Sequence, residues 1–295
     1  MHISGDDSVD GQILRTPEGR ISCQFPERMI LVANHQLYTD WLFLWWTAYI
    51  AGYHGYLIII LKDAIKKIPI VGSGMQFFSW IFLSRRWETD KERLRQSIDA
   101  LSDPVQKSPM WLLIFPEGTN LSKRSMSLSQ KWAAETGLAP FELTLLPRSR
   151  GLQVCIEGLR GSVDWLYDCT IAYEDIPTGV DGQDVYNLYS LYIQGRQAPV
   201  THIHWRRCAI ERIPFDDPQA FDRWLYQWWA EKEQLLQHFK SSGRFPASGK
   251  YVQAEVKLDK AREALQGLTS LFAIAAAWWA LALIYRNIAE ATSFV

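Results

Sequence analysis

Apolar and polar positions alternate along this chain in a way that predicts an α/β protein. Short apolar runs bounded by turn residues predict buried strands at 29–33, 56–60 and 111–115. Helical periodicity with mixed charge predicts helices over 90–101 and 217–240, and the second of these is amphipathic and aromatic. Further strand-like runs occur at 142–146, 152–157, 167–173 and 200–210. Together these elements predict a mixed sheet flanked by helices.

Two apolar stretches of the chain are long enough to be considered as membrane-spanning helices. Residues 41–61 are apolar enough to span a bilayer, but Gly52 and Gly55 interrupt them, so helix, turn and buried strand explain them better. Residues 267–286 have no charge between Leu268 and Tyr285, which predicts a transmembrane helix, with a buried soluble helix as the alternative. Basic residues are more numerous before this segment than after it, which predicts that the preceding domain faces the cytosol.

Composition changes this picture in four places. A net charge of −1 over 295 residues excludes the electrostatic footprint of a nucleic-acid-binding protein. Four cysteines without Cys-x-x-Cys spacing indicate reduced thiols. Fourteen tryptophans fill a core or form a membrane-interface belt, and we favour the interface for Trp278 and Trp279. Residues 1–26 are polar and show no signal peptide, so we expect an amino-terminal tail there.

Candidate chemistry begins with His35 and Asp40. Histidine is the side chain best suited to accept a proton from an alcohol near neutral pH, and a carboxylate can orient it. Residues five apart do not face each other on one helix, so this pair requires His35 to follow a strand and Asp40 to open the next helix. Asn34 is expected to shape the turn. Alone, such a pair is more often structural than catalytic.

A second motif follows the strand predicted at 111–115. Pro116 ends that strand, Gly118 permits a tight turn, and Glu117 is thereby held at a strand end, where sites of α/β proteins usually lie. Thr119 and Asn120 complete the loop. An ordinary exit from strand to loop is the alternative interpretation.

Together these motifs resemble those of the glycerolipid acyltransferase family, Asn-His-x4-Asp and Phe-Pro-Glu-Gly-Thr, over about residues 27–245. The details are most similar to the branch of lysocardiolipin acyltransferases and fungal phosphatidylinositol-remodelling enzymes. The resemblance implies the fold of that family, with the acyltransferase domain at 27–215, an amphipathic helical extension at 216–266 and the transmembrane helix at 267–286. In one departure, Asn120 stands where many members carry arginine, which removes a cation from the acceptor region and disfavours simple lysophosphatidate.

The resemblance implies transfer of an acyl chain from acyl-CoA, as co-substrate without a bound cofactor, to the free hydroxyl of a lysophospholipid. His35 would be the general base and Asp40 its orienting partner. The expected substrate contacts are Arg85, Pro116, Glu117, Gly118 and Thr119, with Glu117 holding an arginine or a glycerol hydroxyl. Further CoA or phosphate contacts are expected at Arg86, Arg148 and Arg150. The expected partners are the two substrates and the bilayer, at the endoplasmic reticulum.

Two alternative functions and one possible metal site remain to be weighed at this point. A lipid hydrolase is one, although no Gly-x-Ser-x-Gly elbow is present. An inactive, truncated membrane scaffold of the same family is the second. His202-x-His204 has a spacing that suits a metal, but no third ligand is evident, so we expect no metal site.

Overall fold

The computed structural model of the chain contains two compact units, Met1–Ala254 and Glu255–Val295, and the elements below belong to the first. The residues that the structure describes are 1–68, 71–84, 86–102, 108–174, 176, 180–197, 199–246, 252–253, 276 and 278–279. In the second unit, Trp278 and Trp279 are helical and exposed. Among the described residues, no helix is both long enough and apolar enough to cross a bilayer. The transmembrane helix predicted at 267–286 falls almost wholly outside them and stays a prediction.

A mixed sheet forms the centre of the first unit. Its strands and those of a small hairpin are β1 His2–Gly5, β2 Ile13–Arg15, β3 Ile21–Cys23, β4 Arg28–Ala33, β5 Leu57–Lys62, β6 Ile81–Leu83, β7 Met110–Ile114, β8 Trp165–Tyr173, β9 Thr201–Ala209 and β10 Val252–Gln253. The sheet order is β10-β1-β9-β8-β4-β7-β5-β6, and β2 and β3 form a separate two-stranded sheet. Five neighbouring strands run parallel, in the order β8, β4, β7, β5 and β6, whereas β9 is antiparallel to β8. The predicted α/β class with a mixed sheet is confirmed.

Helices cover both faces of this sheet. They are α1 Asp40–Ile50, α2 Val71–Phe77, α3 Trp87–Leu101, α4 Lys123–Thr136, α5 Ser149–Leu159, α6 Gly182–Val185, α7 Leu188–Tyr192 and α8 Pro218–Ser242. Alternate residues of β4 point into two cores: Ile30 and Val32 pack in one with α3, α5 and α8, while Met29 and Leu31 pack in the other with α1. Burial on both faces explains why β7 is apolar throughout.

Most of the predicted elements are confirmed. The strands predicted at 29–33, 56–60, 111–115, 167–173 and 200–210 correspond to β4, β5, β7, β8 and β9. Residues 41–61 form a helix, a turn and a strand, as expected. The strand predicted at 152–157 is wrong, because α5 occupies that segment. Its buried positions Leu152, Cys155, Ile156 and Leu159 follow a helical period that outweighs the β-branched residues between them.

Two further predictions need correction. Residues 142–146 form no strand, because the main-chain N–H groups of Glu142 and Leu143 donate to the Glu233 carboxylate on α8. Residues 1–26 are not a separate tail, since β1 pairs in parallel with β9 and Ile3 is fully buried. A short strand with one buried face needs few apolar residues, so the polar composition was misleading. The other predicted domain boundaries remain predictions.

Candidate active site

The two sequence motifs meet at the edge of the sheet where its parallel strands end. β4 and β7 are neighbours in register, with Val32 opposite Ile114, so His35 and Glu117 follow adjacent strand ends. A hydrogen bond joins the two loops directly, from the main-chain N–H of His35 to the Glu117 carboxylate at 3.3 Å. The carboxyl ends of parallel strands are the usual place for a site in an α/β fold.

His35 and Asp40 are in contact as the spacing predicts. His35 follows β4, Asp40 is the first residue of α1, and His35 Nδ1 lies 2.9 Å from Asp40 Oδ2. A carboxylate only accepts, so Nδ1 donates, which leaves the Nε2 lone pair of His35 as a proton acceptor. The His35 ring also stacks on Phe115, with centroids 4.2 Å apart. These contacts fix both the ring orientation and its tautomer.

Asp40 is itself held firmly. Its carboxylate is fully buried and accepts hydrogen bonds from the main-chain N–H groups of Gln36, at 2.6 Å, and Leu37, at 3.0 Å. The Tyr173 hydroxyl, at the end of β8, donates to the other oxygen. Burial raises the pKa of Tyr173 well above its usual value, and the charge of Asp40 adds to that rise, so Tyr173 remains a donor. Sequence reasoning missed Tyr173, although its position at a strand end is a signal.

The side chain of Asn34, just after the end of β4, bonds to the main chain of β8. Its side-chain amide donates to the carbonyl of Ile171 at 2.9 Å, and its side-chain oxygen accepts from the N–H of Ile171 at 2.8 Å. Both bonds therefore go to the main chain of a single residue of β8. The buried amide thus ties the start of the His35 loop to β8, which agrees with its expected role in shaping the turn.

Glu117 accepts hydrogen bonds from three different parts of the chain. In the described part of the chain, its donors are the main-chain N–H groups of His35 and Leu145 and the indole N–H of Trp229, the last at 3.3 Å. Burial raises the pKa of Glu117 to about 8, against these donors and Lys232, which favour the ionised form. Its observed contacts therefore join the His35 loop, the loop after β7 and α8.

Replacing Glu117 by glutamine is expected to remove a pH dependence of stability. Its folded-state pKa of about 8 exceeds the usual 4.5, so between these values the folded protein holds a proton that the unfolded chain has released. The free energy of unfolding of the native chain therefore falls as pH rises through this window, by up to about 1.4 kcal/mol per pH unit from this group. We expect the free energy of unfolding of the glutamine variant, measured by urea denaturation, to rise relative to that of the native chain between about pH 5.5 and about pH 7.5.

The matched control is Glu135→Gln, which neutralises an exposed carboxylate on α4. This control should show no such trend relative to the native chain. A stability difference between native and Glu117→Gln protein that stays constant across the same pH range would contradict a protonated Glu117.

The turn around Gly118 brings Pro116, Thr119 and Arg148, all expected substrate or CoA contacts, close together. Gly118 has φ of 72°, a left-handed conformation that favours glycine. The Arg148 side chain covers this turn, because a Cβ added at Gly118 would lie 3.5 Å from Arg148 Cδ, and the Arg148 N–H donates to the Pro116 carbonyl at 2.8 Å. Thr119 is half-buried beside this turn, whereas Arg150 is exposed in the first turn of α5.

The segment around Arg85, an expected contact of the acceptor phosphate, is described only on either side of that residue. Arg85 lies outside the described residues. The neighbouring Arg86 is exposed, and its N–H donates to Asp90 at 3.0 Å. The same buried carboxylate accepts from the N–H of Ser84 at 2.8 Å and from the Ser84 hydroxyl at 2.9 Å. Asp90, which sequence reasoning missed, therefore fixes the backbone on both sides of position 85.

Helix α8 supports the site from one face of the sheet. Glu233 accepts from the N–H groups of Glu142 and Leu143 and from the Thr144 hydroxyl, at 2.8 to 3.1 Å. Gln36, next to His35, donates to the Leu143 carbonyl at 2.8 Å. The loop after α4 is thus clamped between α8 and the histidine loop. Sequence reasoning did not find this arrangement.

A buried charge cluster connects α8 to β8 and β9. Lys232 is fully buried and donates to Asp168 at 2.6 Å, and Arg206 donates to the other oxygen of the same carboxylate at 2.7 Å. Burial opposes ionisation of Asp168, but the two cations outweigh it and hold the pKa of that carboxyl below its usual range. Lys232 also donates to the Cys169 carbonyl and the Thr170 hydroxyl. All three donor positions of its ammonium are therefore used.

The histidines considered for a metal make two separate contacts. His202 Nε2 lies 2.5 Å from the Glu174 carboxylate, and its ring stacks on His2 with centroids 4.4 Å apart. The ligand atoms of His2, Glu174 and His202 lie within 4.8 Å of one another, but stacked parallel rings do not both direct their in-plane lone pairs at one ion. His204 instead contacts the Ser4 hydroxyl, and burial lowers its pKa to about 4. The expectation of no metal stays a prediction.

Comparison with known families gives matches over both halves of the chain. A family model described as Acyltransferase matches residues 16–149, and one described as Acyltransferase C-terminus matches residues 192–271. Together the two matches cover the loops that carry His35 and Glu117, the strand that carries His204 and the helix that carries Lys232.

Several curated proteins are similar over most of this chain. The 2-acyl-1-lysophosphatidylinositol acyltransferase of Saccharomyces cerevisiae is 35% identical over 257 residues, covering 77% of this chain and 65% of the relative. An uncharacterized acyltransferase of Schizosaccharomyces pombe is 38% identical over 246 residues, covering 83% and 69%. Lysocardiolipin acyltransferase 1 of Gallus gallus is 32% identical over 220 residues, covering 74% and 55%. The chain thus spans between about half and about two thirds of the length of these relatives.

Proposed function

Because the chain belongs to the acyltransferase family, we propose that it transfers a fatty acyl group from acyl-CoA to the free hydroxyl of a lysophospholipid. The observation that carries this proposal is the contact of His35 Nδ1 with Asp40 at 2.9 Å, which leaves Nε2 of a half-buried histidine as a base. The names of relatives that act on lysophosphatidylinositol and lysocardiolipin support this class of acceptor.

In the proposed reaction, His35 Nε2 removes the proton of the acceptor hydroxyl as its oxygen attacks the thioester carbon. The carbon–sulfur bond then breaks, the CoA thiolate leaves, and the imidazolium returns the proton to give free CoA. General base catalysis of this kind contributes about 10²–10⁴-fold. The acceptor hydroxyl is the nucleophile, so no serine or cysteine of the protein needs to form an acyl-enzyme. Asp40 orients His35 and stabilises the imidazolium.

Arginines supply the proposed phosphate contacts. We assign Arg85 to the acceptor phosphate on the strength of the family resemblance alone, with Arg86 beside it, since a guanidinium binds phosphate oxygens bidentately. Arg148 lies over the Gly118 turn, next to the site, and is assigned with Arg150 to the phosphates of CoA. Pro116, Gly118 and Thr119, which form this turn, are assigned to the acceptor on the strength of the family resemblance.

A bilayer is the proposed setting of the reaction, because the acceptor is a membrane lipid. The segment 267–286 is proposed as a membrane anchor of an enzyme whose catalytic domain faces the cytosol at the endoplasmic reticulum. This proposal rests on the apolar sequence of the segment and the basic residues before it.

The test is thiol release from oleoyl-CoA by the membrane-expressed chain, with lysophospholipids that differ only in headgroup. We expect release that depends on a lysophospholipid, and the headgroup with the highest kcat/KM identifies the acceptor. Release at the same rate without any acceptor would instead identify a hydrolase. No release with any acceptor would favour a scaffold without catalytic activity.

A further inference from the structure

An exposed patch of aromatic and basic residues lies on and beside α2, outside the site. Phe77 is 85% exposed and Phe78 is 54% exposed, and Ile68 is 47% exposed just before the helix. Lys62, the last residue of β5, and Lys67, on the connection from β5 to β6, are both exposed. We call these five residues the Phe77 patch. Adjacent large apolar side chains at such exposure usually mark an interaction surface.

The backbone around the Phe77 patch is held in place by packing. Gly72 packs so closely on the preceding turn that an added Cβ would lie 2.2 Å from the Lys66 carbonyl oxygen. After the helix, Ser79 adopts a left-handed φ of 57°, and the Trp80 indole N–H donates to the Leu57 carbonyl at 2.9 Å. Both ends of the segment are therefore anchored to the domain while Phe77 and Phe78 project outward.

Ring contacts connect the patch to the site. Phe77 packs against Phe78 with centroids 5.9 Å apart, and Phe78 lies 6.3 Å from Trp80. Trp80 in turn packs edge-on against Trp41 at 5.5 Å, and Trp41 follows Asp40 in the first turn of α1. A chain of ring contacts, through Trp80 and Trp41, therefore connects the Phe77 patch to α1, the helix whose first residue is Asp40.

The charge of the patch indicates what binds there. Residues 62–67 contain three lysines and one aspartate, a net +2, in a chain whose overall charge is −1. The aspartate, Asp63, is shared between Lys66 at 3.7 Å and Arg93 at 3.6 Å. Protein interfaces are enriched in aromatic residues but depleted in lysine, whereas surfaces that bind anionic lipid combine both. The combination of exposed phenylalanines and lysines therefore favours a bilayer over a protein partner.

We propose that the Phe77 patch docks on an anionic phospholipid bilayer, with Phe77 and Phe78 inserted at the level of the headgroups and Lys62 and Lys67 against lipid phosphates. The proposal rests on the proposed function, because it supplies a lipid acceptor to the site from the same membrane. It assigns this role to α2, separately from the anchor proposed at 267–286.

A first experiment tests binding without any need for catalysis. The full chain with Phe78→Cys is labelled with an environment-sensitive fluorophore and mixed with vesicles containing an anionic phospholipid. We expect the emission to shift to the blue and increase in intensity. The same label at Leu128→Cys, an exposed apolar position on α4, is the matched control and should not respond. Equal responses at both positions, or none at Phe78→Cys, would overturn the proposal.

A second experiment measures the consequence for turnover. Phe77→Ser/Phe78→Ser is compared with Leu128→Ser/Trp132→Ser, using an acceptor in anionic vesicles and a short-chain acceptor dispersed as monomers. We expect the phenylalanine variant to raise the apparent KM for the vesicle acceptor at least about tenfold and to leave the KM for the monomeric acceptor unchanged. Each phenylalanine ring that no longer inserts weakens membrane binding by about tenfold or more. The control should change neither value by more than about twofold, as exposed substitutions have small effects.

The charge of the patch has its own expected effect. Lys62→Gln/Lys67→Gln should reduce the preference for anionic over neutral vesicles by about fivefold per lysine. A Phe77/Phe78 variant that keeps its vesicle KM but dissociates from dimer to monomer in sedimentation would assign the patch to a second copy of the chain and overturn the proposal. If the native chain transfers no acyl group, the fluorophore experiment still shows whether the Phe77 patch binds the bilayer. Failure of the proposed acyl transfer and failure of the proposed docking are therefore distinguishable.

Discussion

Replacing His35 by alanine is expected to lower kcat by about 10²–10⁴-fold and to leave the KM for the acceptor nearly unchanged. The change removes the base that accepts the hydroxyl proton, whereas the arginines assigned to phosphate remain. Stability should change little, because the His35 side chain is part-exposed at 17% and its removal leaves Asp40 with the N–H groups of Gln36 and Leu37 and the Tyr173 hydroxyl. Steady-state kinetics and thermal unfolding of the same preparation measure both quantities.

Two variants make the His35 result interpretable. His54→Ala removes an exposed histidine from the turn before β5 and should retain full activity. Asp40→Asn keeps the shape of the carboxylate but no longer stabilises an imidazolium, so kcat should fall by a large part of the His35→Ala effect. Full activity of His35→Ala protein would exclude the general-base role.

Replacing Lys232 by methionine is expected to cost about 3–5 kcal/mol of folding free energy. The ammonium is fully buried and bonds to Asp168, the Cys169 carbonyl and the Thr170 hydroxyl. Methionine fills much of the same volume but leaves one oxygen of a buried carboxylate without its cation, while Arg206 still holds the other. Urea denaturation of native and variant protein measures the loss.

The control for Lys232 lies on the same helix. Lys240→Met removes an exposed ammonium from α8 and should change stability by less than about 0.5 kcal/mol. Adding Asp168→Asn to Lys232→Met should recover part of the loss, because it removes the unpaired charge. A Lys232→Met protein within about 1 kcal/mol of the native chain would show that the buried pair is not what joins α8 to the sheet.

The fold could be predicted from the sequence wherever burial follows one simple period. β7 is apolar at every position because helices cover both faces, and this reads as a buried strand from sequence alone. α5 was mistaken for a strand because Val154, Cys155 and Ile156 form a short apolar run, which does not by itself distinguish a helix from a strand. β1 was missed because its place in the sheet depends on pairing with β9, about two hundred residues away in the chain.

For the site, too, local contacts could be predicted from the sequence, whereas contacts with distant elements could not. The contact of His35 with Asp40 was predictable, because it lies within one loop and its spacing excludes a continuous helix. The contributions of Tyr173, Trp229 and Glu233 were not, because each reaches the site from a strand or helix more than eighty residues along the chain. The role expected for Glu117 illustrates the limit: its strand-end position was right, but its partners depend on how α8 packs.

The fate of the acyl carbon tests the central claim most directly. Oleoyl-CoA labelled at the acyl carbonyl is given to the native chain and to His35→Ala protein with the preferred lysophospholipid, and the label is traced by mass spectrometry. We predict that the native chain places the label in a new phospholipid ester, with little free fatty acid, and that the variant places almost none in either product. Label that accumulates as free fatty acid, or equal phospholipid labelling by both proteins, would contradict acyl transfer driven by His35.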